Sequence, residues 1–414
     1  MYYITSEIII MKRKISTHSD LLYYTIFYIV VLLVVFLLIK LYVHIPLHKN
    51  IPVSPYVRAN GTQLTLNGQP FQFTGINAFN IGGESGINAG CGATEDNLDA
   101  LFSQLRPNSV VRMWAFQGSI TTNVRTKQID WVALDRVVAT AKKDRIKLDL
   151  VLGDQSGTCD DGHWKDQSWY AGGYTHVFND YGNGLTPLPY LDYVTLIVSR
   201  YKNSSTIAMW EPMNEPQAAD CHDAQGSACY SQLTCNEPTA RVALRTFFDT
   251  VGGTIKSIDP NHLVGSGVIG SGQCGAQYED YQYLHESSGI DVASYHDYGS
   301  DNQPMPGNQF NGLQKRLNQM KLINKPLIVG EVGIQAAENN SSCTSFASRA
   351  VELKAKMDAQ FKAGIAGIMP WALSDQDSPT CNYDIGPSDP LLRLLHNYPV
   401  SMQNATSSST GPAR

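Results

Sequence analysis

The sequence of 414 residues is poor in charge and has no extended basic segment. Charged residues make up 16% of the chain, the formal net charge is −6, and the one basic block is the triplet Lys12-Arg13-Lys14. Proteins bind nucleic acids largely through basic side chains that neutralise phosphate groups. We therefore expect no nucleic-acid partner.

The sequence also lacks the usual motifs for metals and phosphate groups. Its histidines and cysteines do not have the spacing of a zinc site, and no glycine-rich loop follows a predicted strand in the form that binds phosphate. We predict that the protein uses neither a metal ion nor a cofactor. Apolar residues make up 43% of the chain, which is enough for a large core and excludes a disordered protein.

One long segment without charge lies near the N-terminus, over residues 21–39. About 20 apolar residues are enough for a helix to cross a bilayer. The segment is followed by Lys40 and has no small-residue cleavage site after it, so we predict a transmembrane anchor, with a cleaved signal peptide as the alternative. Because the basic triplet precedes the segment, residues 1–20 are expected in the cytoplasm and the chain after about residue 45 outside it.

The rest of the chain divides into a tether, one folded domain and a tail. Residues 40–57 contain three prolines and predict a stiff tether, whereas residues 399–414 have the polar composition of a loose tail. All eight cysteines lie in the domain over 58–398, which we expect to act as a monomer. An even number of cysteines is typical of disulfides in an oxidising compartment, with scattered buried thiols as the alternative, and the pairing stays open.

The domain shows a regular alternation of strands and helices. Asn67-Gly68 between two short apolar runs predicts an N-terminal β-hairpin. Short apolar strands are then predicted at 73–79, 109–115, 146–153, 207–213, 262–269, 290–295, 325–330 and 364–371, with amphipathic helices between them. Eight strand-helix units in this length favour an α/β fold of the (β/α)8 TIM-barrel type over an open doubly wound sheet.

Polar and aromatic side chains stand where the predicted strands end. In a barrel the carboxyl ends of all strands meet on one face, where active sites lie. Glu215 and Glu331 come three strands apart and can face each other across the barrel mouth. Two carboxyl groups without a metal are typical of glycosidic bond cleavage, in which one protonates the leaving oxygen and the other is the nucleophile or anion. The alternative is that both glutamates only form ion pairs with Arg112 and His296.

These residues resemble glycoside hydrolase family 5, the retaining endo-glycanases on a (β/α)8 barrel that include β-mannanases and cellulases. The motifs that carry the resemblance are Val-Arg112-Met-Trp, Trp-Glu-Pro-Met-Asn214-Glu215-Pro, His296-Asp-Tyr298, Gly-Glu331-Val-Gly and Trp371. The resemblance implies that Glu215 is the acid/base and Glu331 the nucleophile. It further implies that Arg112 and Tyr298 hold Glu331, Asn214 binds a sugar hydroxyl, His296 lies near the acid/base and Trp371 lies beneath the sugar at the cleavage point.

One departure from the family bears on the substrate. Many members carry a histidine at the end of the third strand, where this chain has Gly153-Asp154-Gln155, and its absence favours mannan. Trp114, Trp164, Trp169 and Trp371 are expected to stack on sugar rings. The resulting prediction is a retaining endo-glycanase acting on β-1,4-linked mannan or glucomannan. The alternatives are an endo-glucanase, a transglycosylase and a catalytically silent carbohydrate-binding protein at the cell surface.

Overall fold

The computed structural model describes residues 18–44, 54–82, 98–123, 125–177, 186–222, 226–299, 303–338 and 342–399. The chain divides into two units, Met1–Ile51 and Pro52–Arg414. The predicted tail beyond residue 399, part of the tether and most of the predicted cytoplasmic segment lie outside the described residues.

The first unit contains the helix His18–His44, which includes the predicted anchor. Within the described residues no helix is both long and apolar enough to cross a membrane. The prediction of a transmembrane helix over 21–39 therefore has no support in the structure.

The second unit is built around eight parallel strands. They are Phe73–Asn77, Val110–Trp114, Lys147–Val151, Ile207–Glu211, Leu263–Val264, Ala293–Asp297, Leu327–Val332 and Gly367–Pro370. Each pairs in parallel with its neighbours in sequence, and the eighth pairs with the first. A parallel bridge from Gly265 to Val292 joins the fifth strand to the sixth. The sheet is closed, which confirms the predicted barrel and excludes the open sheet.

The barrel strands are buried on both faces because helices surround them. Every residue of the eight strands is buried, which explains their continuous apolar runs. The longer helices of this unit are Val132–Asp144, Tyr190–Tyr201, Glu237–Phe247, Leu313–Ile323, Phe346–Ala363 and Pro390–Asn397. Shorter helices are Leu98–Ser103, Gln117–Ile120, Gln167–Tyr170, Gly253–Ile258 and Asp280–His285. Each long helix turns an apolar stripe towards the barrel, as Val132–Asp144 does with Leu134, Val137 and Ala141.

A small antiparallel sheet precedes the barrel. Its strands are Arg58–Asn60, Gln63–Leu66 and Gln69–Pro70. Asn67 and Gly68 both have positive φ angles, 53° and 75°, as the tight turn between the last two strands requires. The sheet packs its apolar side chains against the amino ends of barrel strands in one cluster that includes Leu64, Leu66 and Ile328. The hairpin prediction is confirmed, and a third strand extends it.

The cysteines form disulfides in the loops that follow the barrel strands. Cys221 pairs with Cys229, Cys235 with Cys274, and Cys343 with Cys381. Cys159 is also disulfide-bonded, and Cys91 lies outside the described residues. Disulfides therefore cross-link the loops on the carboxyl face of the barrel, as the even cysteine count predicted.

Candidate active site

Glu331 lies near the end of the seventh strand and is held by two donors. Arg112 donates a hydrogen bond from Nη1 to Oε1 at 2.7 Å, and the Tyr298 hydroxyl donates to Oε2 at 2.6 Å. Both donors come from barrel strands or the residue just beyond one, so the carboxylate is fixed by the sheet itself. Glu331 is therefore ion-paired with a buried guanidinium and held in one orientation, as suits a nucleophile.

Glu215 lies four residues beyond the fourth strand in an unusual backbone conformation. Its φ is +51°, which is rare for a residue with a long side chain, and its amide donates to the carbonyl of Gly267 at 2.9 Å. A Cβ on Gly267 would lie 2.1 Å from the carbonyl oxygen of Met213, so only glycine allows this approach. Strained residues cluster at functional sites, and here the strain turns the Glu215 carboxyl group towards the barrel mouth.

The two carboxyl groups meet across the mouth of the barrel, with His296 beside them. One oxygen from each glutamate and one His296 nitrogen all lie within 4.8 Å of one another. His296 Nδ1 is 2.8 Å from Glu215 Oε1 and 3.6 Å from Glu331 Oε1. Glu215 keeps 20% of its side chain exposed, whereas Glu331 keeps 5%, so the first has direct access to solvent.

The surroundings of Glu215 favour its protonated form. Burial raises the pKa of the Glu215 carboxyl, and the negative charge of Glu331 raises it further, while the hydrogen bond from His296 works in the opposite direction. Burial lowers the pKa of His296, but the charge of Glu331 and the bond to Glu215 raise it above its usual value overall. The raised pKa of Glu215 suits the role of acid, whereas the contacts of Glu331 with Arg112 and Tyr298 suit the role of nucleophile.

Arg112 is fully buried beneath Glu331 and connects that carboxylate to the barrel core. Besides Glu331, it donates to Glu211, to Asn214 Oδ1 at 2.7 Å and to Asn77 Oδ1 at 3.1 Å. Burial alone would lower the pKa of the Arg112 guanidinium, but the negative charges of Glu211 and Glu331 raise it above its ordinary value. Glu211, the last residue of the fourth strand, lies under the site and orients this central cation.

Asn214 is fixed from both sides. Its Oδ1 accepts from Arg112, and its Nδ2 donates to Asp154 Oδ1 at 2.9 Å. Asp154 itself accepts from the backbone and hydroxyl of Ser156 and from the amide of Thr158. In the sequence Asp154 stands where many family members carry a histidine, and this position after the third strand was the available signal.

The carboxyl groups open into a cleft of about 450 Å³. The residues that line it are Trp114, Asp154, Ser156, Thr158, Asn214, Glu215, Ser227, Tyr230, Tyr298, Glu331, Trp371 and Tyr383. Sequence reasoning missed Tyr230 and Tyr383, because both stand in loops far from any strand end and tyrosine is common in loops. Arg112 and His296 lie behind this wall and contact the carboxyl groups rather than the open space.

Two of the four tryptophans expected on substrate line the cleft. Trp371 is stacked on Phe79 with ring centroids 5.1 Å apart, and Trp114 packs beside both rings. Trp164 and Trp169 are placed differently, since they are 6% and 2% exposed and have no face free for a sugar ring. Trp169 packs among buried aromatic rings, and Trp164 donates its indole hydrogen to the carbonyl of Ala219. The expectation that these two stack on substrate is wrong because the long third loop folds inward.

Two clusters in the described residues have ligand atoms close enough to hold a metal ion. In the first, Cys235 and Cys274 form a disulfide with each other, so they present no thiolate to a metal. The second is Glu215, His296 and Glu331, where the adjacent guanidinium of Arg112 opposes a second cation. The absence of a cofactor stays a prediction from the sequence.

The fold is shared with solved mannanases. The endo-1,4-β-mannanase from Rhizomucor miehei superposes with a TM-score of 0.58 at 21% identity, covering 82% of this chain and 97% of that protein. The β-mannanase from the blue mussel Mytilus edulis superposes with a TM-score of 0.53 at 16% identity, covering 82% and 95%. At such identities the likeness establishes the barrel fold.

Sequence comparison identifies relatives and a family. Mannan endo-1,4-beta-mannosidase 8 from Oryza sativa subsp. japonica is 26% identical over 68% of this chain and 80% of its own length. The probable mannan endo-1,4-beta-mannosidase F of Aspergillus flavus is 23% identical over 80% and 70%. The model of the cellulase family, glycosyl hydrolase family 5, matches residues 64–375, which include both glutamates and the whole barrel core. The chain is therefore a glycoside hydrolase and belongs to glycosyl hydrolase family 5.

Proposed function

We propose that the protein is a retaining, endo-acting β-1,4-mannanase. The observation that carries this proposal is the approach of Glu215 and Glu331 to within 4.8 Å across the barrel mouth. Retaining glycosidases place their carboxyl groups about 5 Å apart, whereas inverting enzymes keep roughly 6.5–9.5 Å for a water molecule. The short separation supports double displacement, with Glu331 as nucleophile and Glu215 as acid/base.

The reaction proceeds in two steps. Glu331 attacks the anomeric carbon and forms an ester to the sugar, while the glycosidic bond breaks and Glu215 transfers its proton to the leaving oxygen. Glu215, now ionised, removes a proton from a water molecule that attacks the same carbon, and the ester bond to Glu331 breaks. Asn214 is placed to hydrogen-bond a sugar hydroxyl, and Trp371 to support the ring at the cleavage point.

Mannan is proposed as the polymer because the relatives from Oryza sativa and Aspergillus flavus, which match over 80% and 70% of their own length, bear the names of mannanases. Attack within a chain is proposed because the same relatives are named as endo-1,4-beta-mannosidases. A glucan substrate is the second candidate, because the wall residues of this cleft make contacts that both polymers can accept.

The test is a panel of mannan, glucomannan, cellulose and xylan with wild type, Glu331→Ala and Glu215→Ala. We expect the highest reducing-sugar release on mannan or glucomannan and a loss of at least about 1,000-fold in both variants. Glu279→Ala, which changes an exposed glutamate of the same face, is the matched control and should keep wild-type turnover. Near-wild-type turnover in Glu331→Ala or Glu215→Ala would show that the assigned roles of nucleophile and acid/base are wrong.

The same samples separate the remaining alternatives. Products longer than the substrate would identify a transglycosylase, and binding of a polymer without any release of reducing ends would identify a silent binding protein. Proton NMR of the first product gives the anomeric configuration, and an inverted product would contradict the short carboxyl separation.

We also propose that the catalytic domain works as a monomer outside the cytoplasm, joined at its N-terminus to a membrane through the apolar segment over 21–39. The disulfides on the barrel face support an oxidising compartment. Membrane fractionation with carbonate extraction tests the anchor, and release of active protein into the supernatant would favour secretion after cleavage. Gel filtration of the detergent-solubilised chain tests the monomer.

A further inference from the structure

Tyr230 is a half-exposed aromatic residue of the cleft wall on a loop with a buried base. It lies in the 3₁₀ helix Gly226–Ser231 of the loop that follows the fourth strand, and it lines the same cleft as Glu215 and Glu331. Its side chain is 46% exposed, although the preceding residue, Cys229, is completely buried. The loop therefore has an anchored base and presents one aromatic ring to solvent.

Several contacts hold this ring in place. The disulfide between Cys221 and Cys229 closes the loop one residue before Tyr230. Trp164 meets the Tyr230 ring edge-on, with centroids 5.1 Å apart and planes at 89°, and Trp164 is itself buried and tied to the carbonyl of Ala219. Because a T-shaped contact covers at most one face of a ring, the Tyr230 ring keeps a face available for stacking, at little cost in conformational entropy.

The position of Tyr230 in the barrel decides which part of the substrate it meets. The fourth and eighth strands are four apart in the closed sheet and so lie on opposite sides of the mouth. Trp371 follows the eighth strand, whereas Glu215 and Tyr230 follow the fourth. Glu215 gives its proton to the leaving oxygen. The part of the substrate that lies on the Glu215 side of the mouth, opposite Trp371, is therefore the part that is released.

Polar groups beside the ring suit a sugar. Ser227 comes from the same helix, and Ser156 and Thr158 come from the third loop, where Ser156 is fixed by Asp154. Burial raises the pKa of the Tyr230 phenol, and the nearby charge of Glu215 raises it further, so the hydroxyl stays a donor at neutral pH. An apolar ring face flanked by hydroxyl groups matches the apolar face and hydroxyl edge of a hexopyranose.

We propose that Tyr230 is the aromatic platform of a subsite that binds a hexopyranose unit on the leaving-group side of the scissile bond. This inference rests on the proposed hydrolase function and adds a residue that sets affinity for the released part of the chain. The disulfide between Cys221 and Cys229 holds the platform in the cleft wall that also contains Glu215.

The test compares two substrates that differ in their leaving groups. Mannopentaose places sugar units beyond Glu215, whereas β-mannobiosyl fluoride releases a single atom and leaves the subsite empty. In Tyr230→Ala we expect kcat/KM to fall about tenfold for mannopentaose, the loss of one stacking contact, and to stay within about twofold for the fluoride. Tyr230→Phe keeps the ring and should retain most activity on both substrates.

Tyr278→Ala is the matched control, since Tyr278 is a 52% exposed tyrosine in a loop of the same barrel face but is not among the residues that line the cleft. It should leave both substrates unaffected. Equal loss on both substrates in Tyr230→Ala would mean that Tyr230 shapes the catalytic groups and would overturn the subsite. A loss in Tyr230→Phe as large as in Tyr230→Ala would assign the effect to the hydroxyl and overturn the platform.

A binding experiment separates this inference from the proposed function. Calorimetric titration of Glu331→Ala protein with mannopentaose needs no turnover, and adding Tyr230→Ala should weaken binding about tenfold. Unchanged affinity would refute the subsite even if the enzyme cleaves mannan. If the wild type cleaves cellopentaose instead, the proposed mannan specificity is wrong. The subsite is then tested with cellopentaose and β-cellobiosyl fluoride in place of the two mannose substrates. If wild type cleaves and binds neither oligosaccharide, both proposals fall.

Discussion

The buried ion pair between Lys356 and Asp297 lies behind the active site, and its removal should strongly lower the free energy of unfolding. Lys356 Nζ lies 2.9 Å from Asp297 Oδ2, with 2% and 0% of the two side chains exposed. Asp297 stands between His296, which contacts Glu215, and Tyr298, which contacts Glu331. Lys356→Met keeps the length of the side chain and leaves the buried carboxylate without its cation. Breaking such a pair costs about 3–5 kcal/mol.

The loss should depend on pH. Burial raises the pKa of Asp297, and Lys356 lowers it towards its usual value, so the variant raises it further. A carboxyl with a raised pKa in the folded protein loses stability as the pH rises from its unfolded value, about 3.9, through its folded value. The difference in unfolding free energy between variant and wild type should therefore be largest near pH 7–8 and shrink on acidification towards pH 4.

Urea unfolding followed by tryptophan fluorescence measures this difference, and a thermal melt should show a drop of roughly 5–10 °C at pH 7. Lys354→Met is the matched control on the same helix, because Lys354 pairs with Asp358 at a half-exposed site worth about 0.2–1 kcal/mol. Adding Asp297→Asn to Lys356→Met should recover part of the stability, since the uncompensated charge is gone. If Lys356→Met costs no more than Lys354→Met, the reasoning about buried charge is refuted.

Three further predictions concern the site itself. Tyr298→Phe removes the 2.6 Å bond to Glu331 and should lower kcat roughly 10- to 150-fold at unchanged fold, and a change below threefold would contradict the role of Tyr298. His296→Ala removes a bond that lowers the pKa of Glu215, so the alkaline limb of the kcat/KM profile should move to higher pH; a limb that stays or moves down argues against Glu215 as the acid. Reduction of the disulfides should impair activity or substrate affinity before it lowers the melting temperature, and equal loss of both would show that the bonds stabilise the barrel instead.

Much of the fold could be predicted because its signals are local. Each barrel strand is a short apolar run buried on both faces, and each intervening helix carries its own apolar stripe, so periodicity alone placed all eight strands. The Asn67-Gly68 turn identified the hairpin for the same reason, since a tight turn with positive φ needs those residue types.

The site residues at strand ends were predictable for a topological reason. Once a barrel is recognised, its strands all point their carboxyl ends at one face, so polar residues far apart in sequence must meet there. Arg112, Glu215 and Glu331 are brought together in this way. The position of Tyr230 could not be predicted from the barrel topology, because the conformation of its loop depends on a disulfide and on packing against Trp164.

The aromatic residues show the limit of sequence reasoning most clearly. Trp371 and Trp169 look alike in the sequence, each lying at or after a barrel strand, yet Trp371 lines the cleft and Trp169 is buried among other rings. The difference depends on how the long third loop packs against the helix that contains Phe247, which is a contact between distant parts of the chain.

The sequence by itself determined the barrel, the placement of two glutamates at its mouth and the formation of disulfides by its cysteines. Each of these depends on local sequence patterns or on the topology that such patterns impose. Only the tertiary structure decided the separation of the two carboxyl groups, the raised pKa of Glu215 and the side chains that face the cleft. These depend on burial and on distances between atoms many residues apart, and the positive φ of Glu215 and the buried Arg112 with its four partners have no signature in any short stretch of the chain.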